Sequence, residues 1–399
     1  MDIVNRMRIA NAGRDPERLQ LKYRAMRASP FAFLRGCCHL FYDRLPRGGV
    51  FKAAPMVWAC GDLHLENFGS YKGDNRLVYF DITDFDESAL APASWDLVRF
   101  LASVWVGADT LGVAEPKARV LCQAFLDAYA SALVLGKAGW LERETADGLI
   151  HDLLDSLRGR QRVAFLDART TTKGKKRELR VDGKRALVAT PAQRTAVTEF
   201  MHEFAKGQPT PEFFEVLDLA RRIAGTGSLG LDRYAILVRG KGSPDGNYLL
   251  DLKQTLPSTL VSHLKVAQPR WTSEAHRVVD LQRRLQAVPM AFLHPVFLGE
   301  RPYVLRGLQP SEDRVALGRP GQTAAELERL VVAMGRIVAW AQLRSAGRGG
   351  SAIADELIDF GARKKWKQQL LAASHECAVQ VREDAATFNA AWDEGAFKA

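Results

Sequence analysis

Two short stretches, Cys60-Gly61-Asp62-Leu63-His64-Leu65-Glu66-Asn67 and Asp81-Ile82-Thr83-Asp84-Phe85-Asp86, carry side chains that could do chemistry together. Asp62 could orient an attacking hydroxyl and accept its proton, while the Asn67 amide and the Asp84 carboxylate are hard oxygen ligands suited to magnesium. A base beside two such ligands is what phosphoryl transfer asks of a protein. One short loop can hold Asp62 and Asn67. The third group must arrive on a neighbouring strand, and Leu77-Val78-Tyr79-Phe80, preceded by the turn signal Lys72-Gly73-Asp74-Asn75, predicts that strand. Asp81 and Asp84, three apart, would point to opposite faces of it. Asp84 is preferred as the ligand because Phe85 follows it, with Asp81 and Asp86 as supporting acids. In isolation an Asp- and Asn-rich loop is more often a solvated turn, but three matches at compatible spacing favour chemistry. His64 has no second His or Cys at metal-ligand spacing and is expected to support the loop by hydrogen bonding.

The stretch from Gly61 to Asn67 resembles the H-G-D-x-H-x-x-N loop of aminoglycoside phosphotransferases and choline kinases, and Thr83-Asp84-Phe85-Asp86 resembles the Asp-Phe-Gly segment of protein kinases. Cys60 stands where those families usually carry His. The resemblance also implies a role for Asp96, which opens an apolar helix through Leu97, Phe100, Leu101 and Val104. It matches an Asp-Leu pair whose carboxylate holds the catalytic loop backbone, although an acid in the first turn also suits the helix dipole. Ser29-Pro30-Phe31-Ala32-Phe33-Leu34-Arg35-Gly36, with the Cys-Gly-Asp loop and Asn67-Phe68-Gly69, is similar to the bacterial family catalogued as domain of unknown function 2252, over most of the chain. That family name carries no reaction.

A second informative stretch is Gly225-Thr226-Gly227-Ser228-Leu229-Gly230. Alone, this glycine pattern is weak, because Rossmann folds and ordinary turns use it too. A Rossmann loop precedes a helix, whereas here the strand Tyr234-Ala235-Ile236-Leu237-Val238, a turn, and Tyr248-Leu249-Leu250-Asp251-Leu252-Lys253 follow. That is the hairpin arrangement of a kinase glycine loop, in which backbone N–H groups approach phosphate oxygens and Lys253 reaches the alpha and beta phosphates. The helix after the lysine strand in a kinase carries a Glu paired with that Lys. Glu274, in a helix predicted over residues 273–287 with Ser273 as its cap, is the candidate; a capping role at the helix N-terminus is the simpler alternative.

Kinases run from glycine loop and lysine to catalytic loop and metal carboxylate; here the catalytic half comes first. The expected fold is therefore α+β, a two-lobed protein-kinase-like fold in circularly permuted order. Residues 1–205 and 318–399 would form a mostly helical lobe, and residues 206–317 a small antiparallel-sheet lobe that binds nucleotide. With 399 residues and 47% hydrophobic content the chain can bury a large core. No uninterrupted apolar run approaches membrane-spanning length and no secretory signal opens the chain, so a cytoplasmic location without membrane insertion is expected. Five scattered cysteines fit a reducing compartment. The net charge of +10 suits anionic ligands without choosing among them.

Much of that charge lies in residues 158–195, where Arg158, Arg160, Arg162 and Arg169 lead to Lys173, Lys175, Lys176, Arg177, Arg180, Lys184 and Arg185. Such a run reads first as a solvated, mobile segment, and second as a grip on an anionic substrate or nucleotide phosphates. Phe165 is the one aromatic residue of the run, too few for a stacking surface, which argues against nucleic acid. The expected function is ATP- and magnesium-dependent transfer to an unidentified small-molecule or protein acceptor. Alternatives are a regulatory nucleotide-binding protein without transfer, a nucleotidyl transferase, and a metal-dependent hydrolase using Asp62, His64 and Asp84.

Overall fold

Side-chain caps begin several of the helices. In the computed structural model, which describes residues 2–174 and 176–397, Ser29 accepts the Ala32 N–H with Pro30 in the first helical position, and Ser273 accepts that of His276. Thr190 with Gln193, and Thr323 with Glu326, close reciprocal capping boxes. Lys175 of the basic run lies outside the described residues.

The strands are β1 (Met56–Ala59), β2 (Phe68–Lys72), β3 (Val78–Ile82), β4 (Ala89–Pro92), β5 (Thr170–Lys173), β6 (Lys176–Leu179), β7 (Ala186–Leu187), β8 (Val216–Arg222), β9 (Arg233–Val238), β10 (Tyr248–Gln254), β11 (Leu293–Leu298) and β12 (Arg301–Gly307). Six of them form one antiparallel sheet in the order β11-β12-β10-β9-β8-β7, and the others pair as β1-β4, β2-β3 and β5-β6. The fold is mixed α+β with antiparallel sheets. Alternation along β9, β10 and β12 divides the large sheet into two faces. Tyr234, Ile236, Val238, Leu250, Leu252 and Leu305 pack under the helix Pro191–Lys206 through its Val197 and Met201. On the opposite face Leu237 and Leu249 meet Leu166, and beyond them come Arg233, Asp251, Lys253 and Arg306.

Most of the remaining chain packs around the helix Ala93–Val106, every residue of which is buried. Its neighbours are the helices Glu115–Leu135 and Lys365–Asp393, and the Phe100 and Phe125 rings stack at 3.9 Å. Fully burying each such side chain contributes ~1.5–3 kcal/mol. Glu115–Leu135 has the length and apolar composition of a membrane span, but half of it is buried, packed against Ala324–Arg344 and Ala354–Ala362. It is a core helix. The helix that follows it in sequence runs over Gly148–Arg158.

Two expectations need correction. The basic run is built into the fold: Arg162–Asp167 is helical, β5 and β6 form a hairpin, and β7 joins the large sheet, because Leu166 and Leu179 give the segment an apolar anchor on Leu237 and Leu249. The sheet side consequently begins before residue 206, since β7 and the helix Pro191–Lys206 belong to it.

Candidate active site

The loop after β1 is clamped through its backbone. Cys60 N and Gly61 N donate to Asp96 Oδ2 and Oδ1 at 2.8 and 2.9 Å, and the Tyr42 hydroxyl donates to Gly61 O at 2.5 Å. Burial raises the Asp96 pKa to about 6, with the two backbone N–H bonds pulling the other way. Gly61 has φ +85°, and a Cβ there would lie 2.1 Å from Glu87 O, so only glycine lets the chain pass.

The turn presents Asp62. Arg99 Nε donates to Asp62 Oδ1 at 2.7 Å, and Arg99 Nη2 makes a close bond to the same oxygen. Oδ2 receives no hydrogen bond among the described residues. Arg99 is fully buried, donates to Leu34 O at 3.0 Å and lies 4.9 Å over the Phe41 ring. Burial raises the Asp62 pKa, Arg99 opposes this, and the nearby Asp84 adds to it. His64 Nδ1 accepts the Glu66 N–H at 3.1 Å, capping the turn Leu65–Asn67; the ring is buried, which holds its pKa well below the usual value.

Asn67 immediately precedes β2, and the β2-β3 ladder carries it beside the acidic end of β3. Its Nδ2 donates to Asp62 O at 2.5 Å, and its carbonyl accepts Thr83 N at 2.8 Å and Thr83 Oγ1 at 3.1 Å. One loop and one hairpin thus bring Asp62, Asn67 and Asp84 onto the wall of one cavity. Asp81 turns away into the core: it is 3.3 Å from Arg344 Nη2 and accepts the Ala287 N–H. Asp84 is 41% exposed, which separates it from that buried neighbour. Burial acts to raise the Asp84 pKa, but Lys253, Arg306 and Arg314 outweigh it and the net shift is downward.

Lys253, on β10, approaches Asp84 from the sheet. Its Nζ is 3.9 Å from Asp84 Oδ1 and makes a close ion pair with Asp86. Glu274 does not fill the role expected of it. Its carboxylate pairs with Arg277 at 2.6 Å, and Arg277 in turn donates to Ser88 O, Asp86 O and Leu256 O. Helix geometry puts Arg277 one turn from Glu274, so the local pair forms and the acids after β3 neutralise Lys253.

Residues 223–232 connect β8 to β9 and carry Gly225 at φ +75° and Gly230 at φ +91°. Ser228 Oγ donates to Ala224 O at 3.2 Å, and Thr226 and Gly227 line the Asp62 cavity. The loop is held by cations on its carbonyls. Arg233 Nη1 reaches Ala224 O at 3.0 Å, Arg14 Nη1 reaches Gly227 O and Leu229 O at 2.7 and 2.8 Å, and Lys22 Nζ reaches Gly227 O at 3.0 Å. Arg233 is also paired with the fully buried Asp251, which Arg222 and Arg306 flank. Burial would raise the Asp251 pKa, but the three guanidinium groups together hold it well below the usual range.

Between this sheet face and the β2-β3 hairpin lies a cleft of about 350 Å³. Leu179, Ala235, Leu249 and Leu308 make one part apolar; Arg180, Arg185, Arg222, Lys253 and Arg306 make another basic. Asp84 lines both this cleft and the Asp62 cavity. The donor set fits magnesium as a partner of phosphate oxygens: Asn67 Oδ1 accepts no hydrogen bond among the described residues, and Asp84 is open to the cleft. Among those residues no group of three or more His, Cys, Asp and Glu could hold a metal by itself.

The likeness to known proteins covers nearly the whole of this architecture. The family model described as an uncharacterised protein conserved in bacteria, DUF2252, matches residues 14–391. The chain belongs to the DUF2252 family. No curated protein and no solved structure matches it. For a DUF2252 chain the functional residues must therefore be read from geometry, and several escaped the sequence motifs. Arg99 and Asp251 carried a usable signal, each being a charged residue at an inward position of an otherwise apolar helix or strand. Arg14, just before the helix Pro16–Met26, and Lys22 within it carried none, since they stand among several other charged residues in sequence.

Proposed function

We propose that this DUF2252 protein is a magnesium-dependent phosphotransferase that uses a nucleoside triphosphate, ATP in the first instance, on a two-lobed kinase-like fold in circularly permuted order. The observation that carries this reading is the convergence on Asp84 of two motif sets far apart in sequence: Lys253 Nζ lies 3.9 Å from Asp84 Oδ1, and Asp84 and the glycine loop line both the Lys253 cleft and the adjoining cavity of Asp62 and Asn67. Phosphoryl transfer is chiefly a matter of positioning and charge stabilisation, and each part has a residue suited to it. Asp62, with Oδ2 free and Oδ1 tied to Arg99, orients the acceptor hydroxyl and takes its proton. Asn67 and Asp84 would hold magnesium, which would supply positive charge to offset that of the phosphates. Lys253 and the arginines of the sheet face hold the phosphates, while Leu179, Ala235, Leu249 and Leu308 suit a nucleobase.

His64 as a metal ligand, which the hydrolase alternative requires, is disfavoured by its burial and its bond to the Glu66 N–H. The test is thermal denaturation of the full chain with ATP and GTP, with and without magnesium. A ligand that binds only the folded state at a hundred times its Kd adds ~2.7 kcal/mol. The expected result is a magnesium-dependent rise in Tm that Asp84→Ala abolishes. No shift with any nucleotide would overturn the proposal, and binding without consumption over a broad acceptor panel would favour a regulatory role.

A further inference from the structure

The cavity of about 130 Å³ between Asp62 and the glycine loop has a wall of unusual charge. Lys22 is 2% exposed, and its ammonium has one hydrogen bond among the described residues, to Gly227 O, and no carboxylate partner. Arg14 beside it also makes no ion pair among those residues, and its buried Nε has no acceptor. His39, 8% exposed on the same wall, leaves Nε2 unpartnered, and burial lowers its pKa to about 3. The wall's carboxylates have partners elsewhere: Arg99 for Asp62, Lys253 for Asp86 and, at 3.9 Å, for Asp84, and Thr259 N and Oγ1 for Glu87. Lys22 and Arg14 thus keep no direct carboxylate partner among the described residues, and a buried ammonium without one is costly. Burial also pushes Lys22 well below its usual pKa, and a bound anion would reverse that.

We infer that this cavity is an oxyanion subsite for the acceptor: a small molecule whose carboxylate or phosphate rests on Lys22 and Arg14 while its hydroxyl meets Asp62. The inference rests on the phosphotransferase reading for the fate of that hydroxyl. In the step, the hydroxyl oxygen bonds to the terminal phosphorus of the nucleoside triphosphate, the bond from that phosphorus to its bridging oxygen breaks, the nucleoside diphosphate leaves, and the proton passes to Asp62. Because Lys22 also holds Gly227 O, an anion there would meet the glycine loop at its tip.

Calorimetry on the full chain, with glycerate, glycerol 1-phosphate and neutral glycerol as probes and no nucleotide present, tests the subsite directly. At least one anion should bind and glycerol should not, and which anion binds distinguishes carboxylate from phosphate. Lys22→Met should weaken that binding about tenfold or more, the worth of one charge-assisted hydrogen bond, while Lys22→Arg keeps most of it. Arg14→Gln, with Tm recorded for every variant, gives a second reading should Lys22→Met fail to fold. Failure of both anions to bind, equal binding of glycerol, or binding indifferent to Lys22 and Arg14 would overturn the inference. ADP release from magnesium ATP separates the two proposals. Lys22-dependent anion binding without ADP release over a broad acceptor panel would support the subsite against the phosphotransferase reading, and ADP release with glycerol but neither anion would do the reverse.

Discussion

The catalytic loop and the glycine loop both border the Asp62 cavity, yet they are secured in different ways. Residues 60–67 are held from within by groups that cannot move without disturbing the core: the Asp96 carboxylate on two N–H groups, Tyr42 on Gly61 O, and fully buried Arg99 on Asp62. Residues 223–232 are held instead through their carbonyl oxygens, by the long side chains of Arg14, Lys22 and Arg233. Under the phosphotransferase reading the first arrangement would serve as a rigid platform for a base, and the second, resting on three long side chains, as a flap that meets a ligand and releases it.

The largest effect should come from the rigid loop. Asp62→Asn is expected to leave nucleotide affinity nearly intact and to cut turnover by about a hundred- to ten-thousand-fold, the range of a positioned base. Arg99 keeps an amide oxygen as acceptor, so the fold should survive with a lowered Tm. Because the Asp62 pKa is raised, the acid limb of kcat/KM in the wild type should lie above the ordinary Asp value of about 4, with activity falling as pH drops through it. Binding calorimetry and a pH series of nucleotide consumption check both points. Loss of nucleotide binding equal to that in Asp84→Ala and Lys253→Ala would make Asp62 a structural or metal-site residue and erase the distinction between platform and flap.

A stability effect follows from Asp251, whose charge holds the Arg233 that anchors the start of the glycine loop. Asp251→Asn leaves buried guanidinium groups without their carboxylate and should cost about 3–5 kcal/mol. Its folded pKa is depressed, so the stabilisation is present above the unfolded value near 4 and disappears as pH falls through the folded value. The wild type should accordingly lose stability through that acid window, and the variant should show a flatter dependence there. Denaturant titrations at pH 7 and pH 3 provide the measurement, and an unchanged acid slope would remove Asp251 from the account.

The finest contrast uses one methyl group in each loop. Gly61→Ala sets a Cβ against Glu87 O at positive φ and should destabilise by about 2–4 kcal/mol, whereas the Cβ of Gly227→Ala would lie 3.2 Å from Arg35 O and should cost less than about 1 kcal/mol. Equal losses of stability in the two variants would show that the glycine loop is as tightly built in as the catalytic loop.

What could be read in advance follows the same division. The catalytic loop, the β2-β3 hairpin and the glycine hairpin are made by contacts over short stretches of chain, so spacing, turn residues and alternation announced them. The basic run was misread because its charges dominate its composition, while its anchorage rests on two leucines facing Leu237 and Leu249. The domain boundary slipped with it.

By itself the sequence determined where Asp62, Asn67 and Asp84 stand relative to one another, because one loop and one two-stranded ladder leave little freedom in register. Only the tertiary structure decided what those side chains meet: Arg99 on Asp62, Asp86 rather than Glu274 on Lys253, and Arg14 and Lys22 on the glycine loop. Charges of either sign are plentiful along the chain, and a Coulombic partner is chosen by which elements pack within a few ångströms of each other, a relation that local pattern does not encode.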